Sequence, residues 1–377
     1  MNELFLKLKI INALAGIVWK GKNIGDFILG KPVQIFERAL AEYAGSKYAL
    51  GVASGTDALI LSLKACGIGP GDEVIVPAVS FYSSAGAVSW VNAKPVFVDV
   101  DSRDHNIDAS KIEKAVNSKT KAIIVVHLNG RMANMDEILK IAGNKSLKVI
   151  VDASHAISSR YRGKPIGNFG DLICLSLNPS KTLGGCGDGG AILTNDEALA
   201  QEISRLRIYG ASRWSEVYWN NTLIGTASRL GVFEAAVLNE KLPYLDSAIA
   251  RQRENYFLYK KILEGAGDLE WPEEHQDYFI NGYRLPVLTK RRNELINFML
   301  NRGEKLYNLY PVPLPHVPVF SAQGGSAVGG KNSGYNKGDF EVAEKIAEEC
   351  IILPTYHSLT WQKVKQIANI IKEFFHK

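Results

Sequence analysis

Four short runs in this chain are apolar at nearly every position: EVIVP (73–77), PVFVD (95–99), KAIIVV (121–126) and LKVIVD (147–152). A strand wetted on one face alternates apolar and polar residues, whereas a strand covered on both faces does not. These runs therefore predict buried strands. Between them lie helix-period segments at 56–66, 108–116 (with Asp108 as N-cap) and 134–142. Upstream, Ile35, Phe36, Ala39, Leu40 and Tyr43 recur at helical spacing, and Gly45 ends that helix. Strands alternating with helices predict an α/β fold with a mostly parallel, doubly wound central sheet flanked by helices.

The 377 residues exceed what one small core organises. The texture changes near residue 245. A long charged helix (246–263) leads into mixed α+β sequence with a proline-studded stretch, YPVPLPHVP (310–318), and a final amphipathic helix (361–375). A large domain over 1–245 and a smaller C-terminal α+β domain over 246–377 are expected. The Gly/Ser-rich segment 321–338 reads as a mobile loop.

Forty-four Lys+Arg against 39 Asp+Glu give +5, with no run of like charge, so nucleic acid is not an implied partner. Cys66, Cys174, Cys186 and Cys350 form no CxxC pair and no Cys/His cluster, which suits a reduced cytoplasm rather than a disulfide scaffold or a zinc site. The apolar stretch IINALAGIVW (10–19) is too short to span a bilayer and precedes no A-x-A site. It reads as a helix packed on protein, with a membrane-surface segment as the alternative.

Four features could carry chemistry, and each has a plain structural reading. Ser54-Gly55-Thr56-Asp57 opens an apolar helix, either as a simple cap or as an anion cup of free N–H groups and hydroxyls. Asp152 closes a buried strand at its carboxyl end, where α/β proteins bind ligands, though Asp also caps turns and helices there. Lys181 sits in the block SLNPSKTLGGCGDGG (176–190), among small residues that would let an amine approach a ligand closely; a solvated surface lysine is the alternative. Gly185, Gly187 and Gly190 match G-x-G-x-x-G only formally, because AILT (191–194) reads as a strand and that fingerprint must open a helix. Phe81 follows the strand EVIVP and either stacks on a flat ligand or fills the core, the commoner role for a lone Phe.

Taken together, a phosphate cup, an aromatic plate, an acid and a lysine on one α/β sheet are the parts of a pyridoxal 5′-phosphate (PLP) site. Through these residues the chain resembles the DegT/DnrJ/StrS sugar aminotransferases, fold type I PLP enzymes. The resemblance runs from GDFILG (25–30) through SGTDAL (54–59), GIGPGDEVIVP (67–77), PVFVDVD (95–101), VHLNG (126–130), DASHA (152–156) and the lysine block to YPVPL (310–314) and LPTYH (353–357). It implies that Lys181 holds PLP as a Schiff base and moves the substrate's proton, and that Asp152 pairs with the pyridine nitrogen. It further implies that Phe81 stacks on the ring with His155 beside it, and that Gly55, Thr56, Asp57 and Ser176 hold the phosphate. Arg229, from a second subunit, and Tyr310 are implied substrate contacts.

The implied reaction takes an amino group from L-glutamate, releasing 2-oxoglutarate, and gives it to a nucleotide-linked keto-sugar in amino-sugar or surface-polysaccharide biosynthesis. Segment 225–242 is more similar to members that aminate C3 than C4. The implied assembly is a cytoplasmic homodimer. Two rivals stand beside this reading. PLP- or PMP-dependent sugar dehydratases of the same fold replace the lysine by His, and a regulatory homologue would keep the fold without catalysis. The chain departs from the family at Ala227, where relatives carry an Asn reaching the neighbouring subunit's cofactor phosphate, and at Pro315 and Val317, where relatives carry His and Gln.

Overall fold

The computed structural model describes residues 3–212, 216–217, 219–321 and 334–376. Seven strands form the main sheet: β1 (Tyr48–Val52), β2 (Glu73–Pro77), β3 (Lys94–Val98), β4 (Thr120–Val126), β5 (Lys148–Asp152), β6 (Leu172–Ser176) and β7 (Gly190–Thr194). Their order is β1-β7-β6-β5-β4-β2-β3. The four predicted runs are β2 to β5, and the five strands from β6 to β3 pair in parallel. β7 runs antiparallel to both β1 and β6, so the sheet is mostly rather than wholly parallel.

The strands lack in/out alternation for the expected reason. Val74 and Val76 face one apolar cluster, with Leu59, Leu63, Val88 and Ile203 from the helices Gly55–Ala65, Ser83–Trp90 and Glu197–Leu206. Ile75 faces the other, with Phe36, Leu40, Ile138 and Leu238 from Lys31–Ala44, Met135–Lys145 and Val232–Lys241. Gly45, in left-handed conformation (φ 70°), ends the first of these helices, and Asp108 caps its own by accepting from Ser110 N at 3.0 Å. Ile35 is exposed; Val33 and Ala41 take its place on the buried face.

A third apolar cluster lies in the C-terminal part, between the helices Leu245–Leu263 and Trp361–Phe375 and the antiparallel pair Leu285–Leu288 with Cys350–Leu353. Most of the Gly/Ser-rich segment, residues 322–333, lies outside the described residues. The apolar N-terminal stretch belongs to the helix Glu3–Lys20, which packs against Val232–Lys241. No helix among the described residues is long and apolar enough to cross a membrane.

Candidate active site

The carboxyl ends of β5 and β6 and the start of the helix Gly55–Ala65 open onto one cavity of about 360 Å³. Gly55, Thr56, Phe81, Asp152, His155, Ser176, Lys181 and Tyr310 all line it. A larger polar groove, about 500 Å³ around Asp101, Arg103, Arg131 and Arg162, contains none of them. Chemistry and volume therefore point to different cavities, and the chemistry is concentrated in the smaller one.

At the helix start, Ser54 caps by accepting the Asp57 N–H at 3.0 Å. That leaves Gly55 and Thr56 with the orphan N–H groups of the first turn, which with the macrodipole make a seat for an anion. Glycine is needed at 55 because an added Cβ would lie 2.8 Å from the Ser176 Cβ. The Thr56 and Ser83 hydroxyls pair at 2.7 Å beside the seat. Asp57 is not brought into this cup. Its N–H is taken by the cap, and its carboxylate accepts from Ser228 Oγ at 2.6 Å.

Asp152, the last residue of β5, is buried, and no helix follows it. Its Oδ2 accepts from Ser84 Oγ at 3.1 Å and its Oδ1 from Ser154 N at 3.1 Å. Ser84 is steadied in turn by Ser80 at 2.7 Å. A buried carboxylate held by hydroxyl and amide donors, on the wall of a cavity, suits a protonated ring nitrogen as its ionic partner. Phe81 is 62% exposed, which overturns the core reading for this residue. It lies on the cavity wall instead.

Lys181 projects from a loop closed by Leu177 N to Gly189 O and Gly185 N to Leu177 O, both 2.8 Å. The buried Glu234 anchors the loop from outside: its Oε1 accepts the Cys186 N–H at 2.7 Å, and an added Cβ on Gly185 would fall on that oxygen. The ammonium lies 5.6 Å from the Tyr283 ring centre, and the Tyr283 hydroxyl is fixed to Ser180 O at 3.1 Å. Burial pushes the lysine down to about 8; the positive Arg284 adds to this and Asp152 opposes it. Lys181 is thus poised to shed its proton far more readily than a solvated lysine. Burial, then the charges of Lys181 and Arg284, hold His155 well below its usual range. It is neutral, accepts the Asn129 N–H at 3.3 Å through Nδ1, and packs 4.8 Å from the Tyr283 ring.

Arg229 does not line the cavity of its own chain; its guanidinium lies 5.5 Å over the Tyr209 ring. Sequence reasoning missed Arg284, Asn178, Ser180, Ser84 and Ser228. Of these, Arg284 had a legible signal, a charge set immediately before the all-apolar strand Leu285–Leu288.

The lysine, acid and backbone cup fit PLP in charge and shape, and in fold and cavity the molecule is a PLP-dependent transaminase of the α/β class. More narrowly, the chain belongs to the DegT/DnrJ/EryC1/StrS aminotransferase family, whose model matches residues 14–372. A protein of Geobacillus stearothermophilus named "Pleiotropic regulatory protein" is 38% identical over 93% of this chain and 91% of its own. A UDP-N-acetyl-3-dehydro-α-D-glucosamine 3-aminotransferase of Acidithiobacillus ferrooxidans is 35% identical over 94% of this chain and 92% of its own. Among solved structures, S. venezuelae DesV in complex with a ketimine intermediate superposes with TM-score 0.92 at 32% identity, covering 99% of this chain and 95% of that one.

Proposed function

We propose that this transaminase moves an amino group from L-glutamate to a nucleotide-linked keto-sugar, at C3 of the sugar, as a cytoplasmic homodimer serving amino-sugar or surface-polysaccharide biosynthesis. The observation that carries the reading is that Lys181, Asp152 and the Gly55–Thr56–Ser176 cup converge on one cavity. The 3-aminotransferase name of the A. ferrooxidans relative supports the sugar and the carbon.

Bound there, PLP supplies the electron sink that lets a proton leave the substrate carbon bearing nitrogen. The protein's residues do the rest. The N–H groups of Gly55 and Thr56 and the Ser176 hydroxyl seat the phosphate. Asp152, fixed by Ser84 and Ser154, keeps the ring nitrogen protonated. Phe81 covers one ring face. Lys181 would anchor the cofactor through its amine and, as a neutral amine, would serve as the base and acid that moves the proton of the substrate carbon.

Lysine at 181 favours amino transfer over the dehydratase alternative, in which relatives carry His. An intact lysine, acid and cup on one cavity favour catalysis over a purely regulatory role. The test is the holoenzyme with L-glutamate against UDP-, dTDP- and GDP-linked keto-sugars, following 2-oxoglutarate. Stoichiometric 2-oxoglutarate and amino-sugar are expected. Loss of water from the sugar without amino transfer, or no turnover with any of them, would overturn the reading.

A further inference from the structure

Arg284 lines the cavity, half-buried, immediately before the strand Leu285–Leu288. Its guanidinium lies 4.7 Å over the Tyr283 ring, the same ring that flanks Lys181 and His155. Tyr283 is itself immobilised, through its hydroxyl on Ser180 and its carbonyl accepting from Thr355 Oγ1 at 3.0 Å. The arginine is therefore mounted on a rigid platform.

The two carboxylates on the cavity wall are engaged elsewhere: Asp152 with Ser84 and Ser154, and Asp188 with Asn178 Nδ2 at 3.0 Å. Among the described residues, none of the ion pairs involves Arg284. A guanidinium facing a cavity without an acid beside it is a preformed fork for a planar anion. The cofactor phosphate is not that anion if it sits in the cup of Gly55 and Thr56. Arg284, Lys181 and His155 line one cavity and flank the same Tyr283 ring, and the positive charge of Arg284 adds to burial in lowering both Lys181 and His155.

We infer that Arg284 takes the carboxylate of the amino donor. This rests on the transaminase reading, and it deepens it. A 2-amino acid carries its carboxylate one carbon from its amine, so a carboxylate held at Arg284 sets the amine near Lys181. A keto-sugar carries no carboxylate at its reacting carbon, so the residue separates the two substrates by chemistry: it orients the donor and leaves the acceptor to other contacts. Arg284 is then a binding residue that sets donor specificity, with no proton to move.

The holoenzyme tests this with two probes and two variants. Glutarate, an unreactive dicarboxylate, is titrated calorimetrically, and the half-reaction with L-glutamate is followed by cofactor absorbance. In R284Q the glutarate Kd and the half-saturating L-glutamate concentration should both rise roughly ten- to hundredfold, the weight of one charge-assisted hydrogen-bond pair. R284K should recover part of the loss. PLP affinity of the apoprotein and binding of UDP should stay within about threefold. Unchanged glutarate affinity in R284Q, or loss of UDP binding instead, would overturn the assignment and leave the transaminase reading intact. A wild-type holoenzyme that binds glutarate through Arg284 yet never accepts an amino group from L-glutamate would overturn the reaction and leave the carboxylate site standing.

Discussion

Ser228 donates its hydroxyl to Asp57 Oδ2 at 2.6 Å while accepting the Ala53 N–H at 3.1 Å. One buried side chain thus ties segment 226–231 to the start of the phosphate-cup helix, 171 residues away in sequence. Asp57 works here as a strut beneath the cup rather than as part of its lining. Ser228→Ala should strip the carboxylate of this partner and cost about 1–3 kcal/mol of stability. Urea denaturation of the apoprotein reads that loss, and PLP titration should show several-fold weaker binding. A variant with unaltered midpoint and unaltered PLP affinity would show that the tie does not shape the cup.

Lys181→Ala should leave a folded protein that binds PLP only reversibly. Borohydride should fix the cofactor to Lys181 in the wild type and to nothing in the variant, as peptide mass mapping would show. Cofactor fixed to another lysine would displace Lys181 from its role.

Much of this was legible in the sequence because burial on both faces leaves a compositional mark. Val74, Ile75 and Val76 are apolar in a row since two helical layers cover them. The strands Tyr48–Val52 and Leu172–Ser176 do not stand out in the sequence, the first because Gly51 breaks its apolar run and the second because it leads straight into the polar lysine block. The helix Ser83–Trp90 was hidden by its small polar start. Lys181 and Asp152 were legible through motif and strand position. Ser228 was not, because its role depends on which way a side chain points between segments distant in sequence, and Arg284 showed only as a charge set before the all-apolar strand Leu285–Leu288. Phe81 taken alone reads as core by composition, and only the resemblance put it beside a ligand; its exposed place on the cavity wall agrees with the second of these readings.

Asp152→Asn should preserve the fold, since an amide still pairs with Ser84 and Ser154. It should slow single-turnover amino transfer by orders of magnitude, because a neutral amide does not hold the ring nitrogen protonated. Stopped-flow absorbance of the half-reaction measures this. Near-normal rates would reduce Asp152 to a structural turn residue.

The depressed Lys181 gives a pH dependence whose sign follows directly. Only the neutral amine attacks an aldehyde, so covalent attachment of PLP to apoprotein should rise with pH and reach half its maximum near pH 8, not near 10. Removing the positive charge in R284Q makes the ammonium easier to keep, so the profile should move to higher pH. Asp152→Asn removes the negative charge that favours the ammonium, so the profile should move to lower pH. Attachment rates across pH 6–10 would show both displacements; movement in the same direction would contradict the charge arrangement around the lysine.

Ala227 is exposed and bridges Ile208 across an isolated antiparallel contact, while its neighbour Ser228 turns inward to Asp57. This is the alternation of an extended segment, and it points position 227 off the surface of its own protomer. The side chains that could substitute for the family's Asn are engaged within the chain. Asn221 donates to Tyr209 O at 2.8 Å and Asn220 to Glu216 Oε2 at 3.3 Å, and Ser228 is committed to Asp57. If, as the resemblance implies, a second subunit's cofactor faces this segment, its phosphate would lack the amide at this position and would be held more weakly or through water. Ala227→Asn should restore a hydrogen bond to a charged acceptor, about 1.5–3 kcal/mol or roughly ten- to hundredfold in affinity. Titration of apoprotein with PLP should show that gain, with no change in the sugar accepted, and dilution to monomer should abolish it. Equal or poorer affinity in the dimeric Asn variant would mean that position 227 does not face the partner's phosphate.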